Sequence, residues 1–212
     1  MKIALIGATG FIGSGLLAEA LSRGHSVTAL VSRPERLAPQ AGLTAEGVDV
    51  LDQQQLAAKL EGYDAVVSAF SGHAQEDVRG YYGRGADAII GATKQARVPR
   101  LLVVGGAGSL EVAPGVQAVD TPQFPEQWKA SALGARDTLE KLRKEQALEW
   151  TFLSPAAMIQ PGERTGKFRL GGDQMLTDAE GNSRISVQDY AVAMIDELEQ
   201  PAHSRKRFTV AY

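Results

Sequence analysis

Gly7-Ala8-Thr9-Gly10-Phe11-Ile12-Gly13 joins a short apolar run, Lys2-Ile3-Ala4-Leu5-Ile6, to a segment with a different rhythm. In the first run the apolar residues follow one another without alternation, as in a strand buried on both faces. In the second, Ile12, Leu16, Leu17, Ala20 and Leu21 recur at helical spacing and Gly24 closes the segment at the C′ position. The junction is G-x-x-G-x-x-G, a variant of the dinucleotide fingerprint with two residues before its middle glycine. One glycine permits the tight turn, another lets backbone approach a pyrophosphate, and the third lets helix and strand pack closely. The helix start then offers free N–H groups and a positive dipole end to phosphates. Without a ligand the same stretch reads as a tight strand-to-helix turn.

Outward from this turn, strand and helix signals alternate. Ser26–Val31 reads as a second strand, Leu43–Val50 contains a third, and Gln53–Leu60 is a helix capped by Asp52. Asp64–Ala69 is a fourth strand, Asp77–Ala96 a long helix, and Leu101–Val104 a fifth strand running into Gly105-Gly106-Ala107-Gly108. Lys129–Gln146 reads as a helix, Trp150–Leu153 as a strand, Val187–Glu199 as a helix capped by Ser186, and Arg207–Ala211 as a last strand. The pattern predicts one α/β domain over residues 1–212, Rossmann-type and doubly wound, with a mostly parallel sheet of six to eight strands. Residues 110–128 and 156–185 are rich in proline and glycine and read as loop or hairpin excursions on the substrate side.

The strand ends carry the next signals, because ligands of such sheets bind beyond the carboxyl ends of the strands. After the second strand comes Val31-Ser32-Arg33, where an acidic residue would select NAD(H). A guanidinium there grips a 2′-phosphate, so Arg33 favours NADP(H) over NAD(H). Asp49-Val50 follows the third strand; the carboxylate suits an adenine amino group and equally a turn or a helix cap. Ser68-Ala69-Phe70 closes the fourth, where small residues let the backbone run beside a cofactor ribose.

Composition narrows the class. Hydrophobic residues make up 44% and charged residues 22% of the 212, as in soluble globular proteins. The formal net charge of −3 argues against nucleic acid or an anionic membrane as partner. Ser204-Arg205-Lys206-Arg207 is the one short basic patch and reads as a solvated turn. There is no cysteine, which removes disulfides, thiolate zinc and cysteine nucleophiles. No stretch approaches the ~18 apolar residues of a membrane span. The expectation is a cytoplasmic protein, a monomer or homodimer, acting on a small molecule.

Taken together, Gly7–Gly13, Val31–Arg33, Asp49-Val50, Ser68–Phe70, Gly105-Gly-Ala-Gly-Ser109 and Leu153-Ser-Pro155 resemble the atypical short-chain dehydrogenase/reductase group. The likeness is greatest to its NAD(P)H-binding branch, labelled NADH-flavin reductase and NAD-dependent epimerase/dehydratase-like. It extends to Arg164–Arg169 and Ile185–Ala191. The resemblance implies cofactor contacts from Gly7, Thr9, Gly10, Phe11, Ile12, Gly13, Gly105 and Gly106. It also sets Ser154-Pro155 against the nicotinamide carboxamide.

The chain departs from that group in one respect. Carbonyl-reducing and sugar-epimerising members use a tyrosine with a lysine four residues on, which lowers the tyrosine pKa. Here Tyr63, Tyr81, Tyr82 and Tyr190 are followed at that spacing by Val67, Gly85, Ala86 and Met194, and Tyr212 is last. Reduction of a flavin or quinone-like acceptor needs no such pair, because hydride passes between stacked rings. Flavin then enters as a substrate. Ser109 is the candidate catalytic donor, His73 a candidate cover or proton relay, and Arg164, Lys167 and Arg169 candidate anion contacts; Trp128 reads equally as pocket wall or core. Two alternatives stand beside the reductase: a non-catalytic NAD(P)-binding redox sensor, and an epimerase/dehydratase-like enzyme.

Overall fold

A computed structural model of the protein describes residues 1–73 and 75–212. In chain order its elements are β1 (Lys2–Ile6), α1 (Phe11–Ser22), β2 (Ser26–Val31), β3 (Leu43–Gly47), α2 (Gln53–Leu60), β4 (Ala65–Ser68), α3 (Val78–Gln95) and β5 (Arg100–Val104). Then follow β6 (Glu111–Ala113), β7 (Val116–Gln117), α4 (Glu126–Arg143), β8 (Glu149–Ser154), β9 (Met158–Gln160), β10 (Arg169–Gly171), β11 (Arg184–Ser186), α5 (Val187–Glu199) and β12 (Lys206–Ala211). Single 3-10 turns occupy Pro34–Arg36, Ala107–Ser109 and Ala118–Asp120.

Eight strands form one sheet in the order β10-β12-β8-β5-β4-β1-β2-β3. Seven are parallel, and β10 lies antiparallel to β12 at the edge. This is the doubly wound α/β fold. The chain steps outward from β1 through β2 to β3, then crosses to β4 and continues through β5 and β8. The topological switch therefore falls between β1 and β4, where the carboxyl ends open a crevice.

Both faces are covered, which explains the unbroken apolar strands. Ile3, Leu5, Val27 and Val67 face α1 and α5, packing with Leu16, Tyr190 and Met194. Ala4, Ile6, Leu30, Val66 and Phe152 face α2, α3 and α4, packing with Leu56, Tyr82 and Leu139. The capping expectations hold: Asp52 accepts from Gln55 N–H at 3.0 Å and Ser186 from Asp189 N–H at 2.9 Å.

The structure moves one boundary, fills in one excursion and buries one residue of the basic patch. Helix α4 starts at Glu126 instead of Lys129, because Pro125 sets the entry backbone and Glu126 suits the first turn. Residues 110–128 contain the β6–β7 hairpin, turned at Gly115 with φ +73°. That hairpin is tied to the second excursion through Glu111 N–H to the Asp173 carbonyl and Met175 N–H to the Glu111 carbonyl, both 2.9 Å. Arg207, expected at the start of the last strand and as the end of a solvated basic patch, lies within β12 opposite Phe152, and its side chain is 2% exposed.

Candidate functional site

The Gly7–Gly13 turn lies at the switch point. Gly7 has φ +79°, and a Cβ on it would stand 2.7 Å from the Ala69 carbonyl oxygen. Both the conformation and the approach require glycine. Gly10 N–H closes the turn on the Gly7 carbonyl at 3.0 Å. A Cβ on Gly13 would lie 2.0 Å from the Gly7 oxygen, so α1 can begin this close to β1 only without a side chain there.

The start of α1 differs from the other helix starts; α4 also lacks a side-chain cap but carries Glu126 in its first turn. α2, α3 and α5 are capped by the side chains of Asp52, Asp77 and Ser186. α1 has neither a side-chain cap nor an acidic residue in its first turn. Its first internal bond among the described residues runs from Ser14 N–H to the Gly10 carbonyl at 2.9 Å. The N–H groups of Phe11, Ile12 and Gly13 therefore have no helical acceptor, and Thr9, Gly10 and Phe11 are exposed. Free donors, a positive dipole end and a floor without side chains fit a diphosphate.

On the β2–β3 side, Arg33 and Arg36 are both exposed around the Pro34–Arg36 turn. Neither makes an ion pair among the described residues. Asp49 Oδ1 accepts from Leu51 N–H at 3.0 Å, and its carbonyl accepts from Asp52 N–H at 3.1 Å. That is the turn role, and it engages one carboxylate oxygen of an exposed residue. Val50 is half-buried against the α2 side of the core.

On the other side of the switch, Ala69 N–H bonds the Ile6 carbonyl at 2.9 Å and holds the end of β4 against β1. Ser68 is buried, and its Oγ accepts from Phe70 N–H at 3.4 Å. The Phe70 ring turns into α3, where a Cβ on Gly85 would meet it at 2.2 Å. Gly105 is needed for packing, since a Cβ there would stand 2.2 Å from the Phe152 ring. Gly106 and Gly108 run beside α4, their added Cβ atoms 3.2 Å from Ala135 and 2.7 Å from Ala132. Pro155 is buried just past the end of β8.

Ser109 and Ser154 share a partner that the sequence did not disclose. Arg207 Nη1 donates to Ser154 Oγ at 3.3 Å and to Ser109 Oγ at 3.4 Å. Its Nε donates to Asp173 Oδ1 at 2.7 Å, and Nη2 also bonds that oxygen. Arg143, in the last turn of α4, reaches the same carboxylate at 3.0 Å. Burial pulls the Arg207 pKa below the ordinary arginine value, against the pull of Asp173. Arg207 thus joins the Gly105–Ser109 loop, the end of β8 and the second excursion. The available signal was its period-two position with Thr209 and Ala211 in β12, which directs all three to one face.

Two of the three candidate anion contacts are engaged internally. Arg164 grips Glu19 at 2.7 and 2.8 Å, and Arg169 donates to the Thr177 carbonyl at 2.8 Å and to the Tyr212 carbonyl. Trp128 belongs to the surface, 51% exposed, with its ring edge-on to exposed His73.

Residues 7–200 match the model of the NAD(P)H-binding family. Three solved structures are similar over the whole chain. A candidate exported protein of Burkholderia pseudomallei is 49% identical with a TM-score of 0.90, covering 100% of both chains. A candidate epimerase of Bacteroides thetaiotaomicron is 45% identical with a TM-score of 0.93, covering 100% of this chain and 96% of that one. A candidate NADH-flavin reductase of Streptococcus pneumoniae is 35% identical with a TM-score of 0.86, covering 100% and 99%. With its glycine turn at the switch of a Rossmann sheet, the chain belongs to the NAD(P)H-binding family.

Proposed function

We propose that the protein is an NADPH-dependent reductase that passes hydride to a flavin or quinone-like planar acceptor. The observation that carries this reading is the state of two tyrosines beside the candidate nicotinamide end. Tyr82 and Tyr190 are buried with their hydroxyls on the carbonyls of Val104 at 3.4 Å and Leu153 at 2.7 Å. Burial raises both pKa values well above the ordinary tyrosine range, so neither is poised to exchange a proton with substrate. With these two tyrosines committed to the core, chemistry that needs neither as an acid is what the site supports best.

When bound, NADPH supplies hydride from its C4 to the acceptor, N5 in a flavin, while water supplies the accompanying proton, giving NADP⁺ and the two-electron-reduced acceptor. The protein's share is orientation and exclusion of solvent. On this reading the α1 N-terminus holds the pyrophosphate, with Gly7, Thr9, Gly10, Phe11, Ile12 and Gly13 around it. Arg33 takes the 2′-phosphate, and Asp49 and Val50 border the adenine. Ser68, Ala69, Phe70, Gly105, Gly106, Ser154 and Pro155 line the nicotinamide half. Ser109, held by Arg207, orders the loop beneath that half. Residues 110–128 and 156–185 supply the acceptor side, and the acceptor is a free substrate. No helix among the described residues is long and apolar enough to cross a membrane. The reading takes the protein as cytoplasmic, monomeric or homodimeric, and without a nucleic-acid partner.

The test is NADPH oxidation with FMN, riboflavin or menadione, with NADH in parallel. A rate that saturates in acceptor and is faster with NADPH supports the reductase. Tight NADPH binding without turnover would replace it with a redox sensor. The name of the Bacteroides relative favours an epimerase/dehydratase-like alternative, which would convert its substrate with no net loss of NADPH.

A further inference from the structure

Helix α4 ends just before β8 begins at the amino edge of the sheet, so its first turn lies at the carboxyl edge, above the crevice. Ala132 and Ala135 pack on Gly108 and Gly106 of the loop after β5. Trp128 is one helical turn before Ala132 on the same face, so its indole stands one turn above that loop. From the other side comes His73, three residues past Phe70 at the end of β4. The two rings meet edge to face, with centroids 5.7 Å apart and planes at 89°. The pair therefore joins the segment after β4 to the first turn of α4, at the carboxyl edge of the sheet on the β4–β5 side of the crevice. A large apolar ring left 51% exposed there is not part of the core. Among the described residues His73 is its one aromatic partner, and an edge contact is readily exchanged for a better-matched aromatic face.

We propose that Trp128 is the stacking platform for the acceptor, with His73 as the edge contact that holds the indole in place until the acceptor displaces it. The ligand class is a planar, conjugated, uncharged ring system, a flavin isoalloxazine or a bicyclic quinone. This rests on the reductase reading and names the residue that would select its substrate. Every planar ring offers a π-face to an indole, so the site is tolerant of ring identity and selective for planarity. Trp128 is a binding residue here, and the hydride and proton follow the path already given.

The two tryptophans separate the test from activity alone, since Trp150 is buried and 3% exposed while Trp128 is not. Riboflavin and menadione are titrated into protein loaded with NADP⁺, following tryptophan emission, and steady-state constants are measured on the same variants. Wild-type emission is expected to quench saturably, with Trp128→Phe losing most of the quenched signal. Trp128→Ala is expected to raise the acceptor KM by about tenfold. Its NADPH Kd and its Tm should match the wild type. His73→Ala should change the KM far less than Trp128→Ala. An unchanged acceptor KM in Trp128→Ala, with wild-type turnover intact, overturns the platform and leaves the reductase standing. A wild type that neither turns over nor quenches with either probe overturns both.

Discussion

A 2′-phosphate brings about −1.5 to −2 charge at neutral pH to the ribose over the end of β2. Arg33 and Arg36 are exposed there, with Glu35 between them and no partner of their own among the described residues. Charge-assisted hydrogen bonds of this kind contribute about 1.5–3 kcal/mol. Arg33→Glu should therefore weaken NADPH binding by roughly 10- to 100-fold while changing NADH binding by less than about threefold. Calorimetric titration with the two cofactors checks this, and equal losses would remove Arg33 from the phosphate. Glu19 illustrates a charge used for folding. It is 5% exposed between Arg23 and Arg164, and the hydrogen bonds from Arg164, aided by Arg23 against desolvation, hold its pKa below the usual glutamate value. A depressed folded pKa means stability that is fully present above the unfolded value, about 4.3, and lost as pH falls through the folded one. Glu19→Gln should cost about 1–3 kcal/mol near neutrality and flatten the acid limb of a Tm-against-pH curve. A parallel downward shift at every pH would contradict that assignment.

Among the elements, the segment before β10 depends on α5. Asp189 is fully buried, and its carboxylate accepts from the N–H groups of Thr165 and Gly166, both 2.8 Å, from Thr165 Oγ1 at 2.6 Å and from Tyr212 OH at 2.8 Å. Asp189→Ala leaves those donors unpaired, and should cost about 2–4 kcal/mol and release residues 161–168. Limited trypsin digestion reads this directly, with cleavage after Arg164 or Lys167 much faster than in the wild type. Equal cleavage rates would show that something else holds the segment. This tie was not legible in Ser186-Val-Gln-Asp189, which announces only a helix start. The carboxylate's four donors come from residues 23 or 24 positions away along the chain. By contrast β1, its glycine turn and α1 were legible throughout, because consecutive apolar residues, a glycine spacing and a helical period each constrain the same short stretch. The start of α4 was misread by three residues since Glu126, Gln127 and Lys129 are polar and Trp128 alone leaves no apolar period there. The burial of Arg207, at the start of the expected last strand, was not legible because a basic run looks solvated until the partner strand places one member inward.

At the scale of the molecule, alternating strands and helices implied a parallel sheet, yet not the final order at its far edge. There β12 inserts between β8 and the antiparallel β10, through pairs of residues 38 to 55 positions apart in the chain. The candidate cofactor crevice was readable from local strand ends. Residues 110–128 and 156–185 were read as excursions on the substrate side, but the tie between them was not legible, because Glu111, Asp173 and Met175 meet only in the fold. In the proposed reaction a nicotinamide lying over β4 and β5 delivers hydride to a planar ring stacked on Trp128. The most direct test mixes the protein anaerobically with NADPH and FMN and follows reduced nicotinamide and oxidised flavin together. The account predicts equal molar loss of the two, faster with NADPH than with NADH. Bound NADPH that persists in the presence of excess FMN and menadione would contradict it.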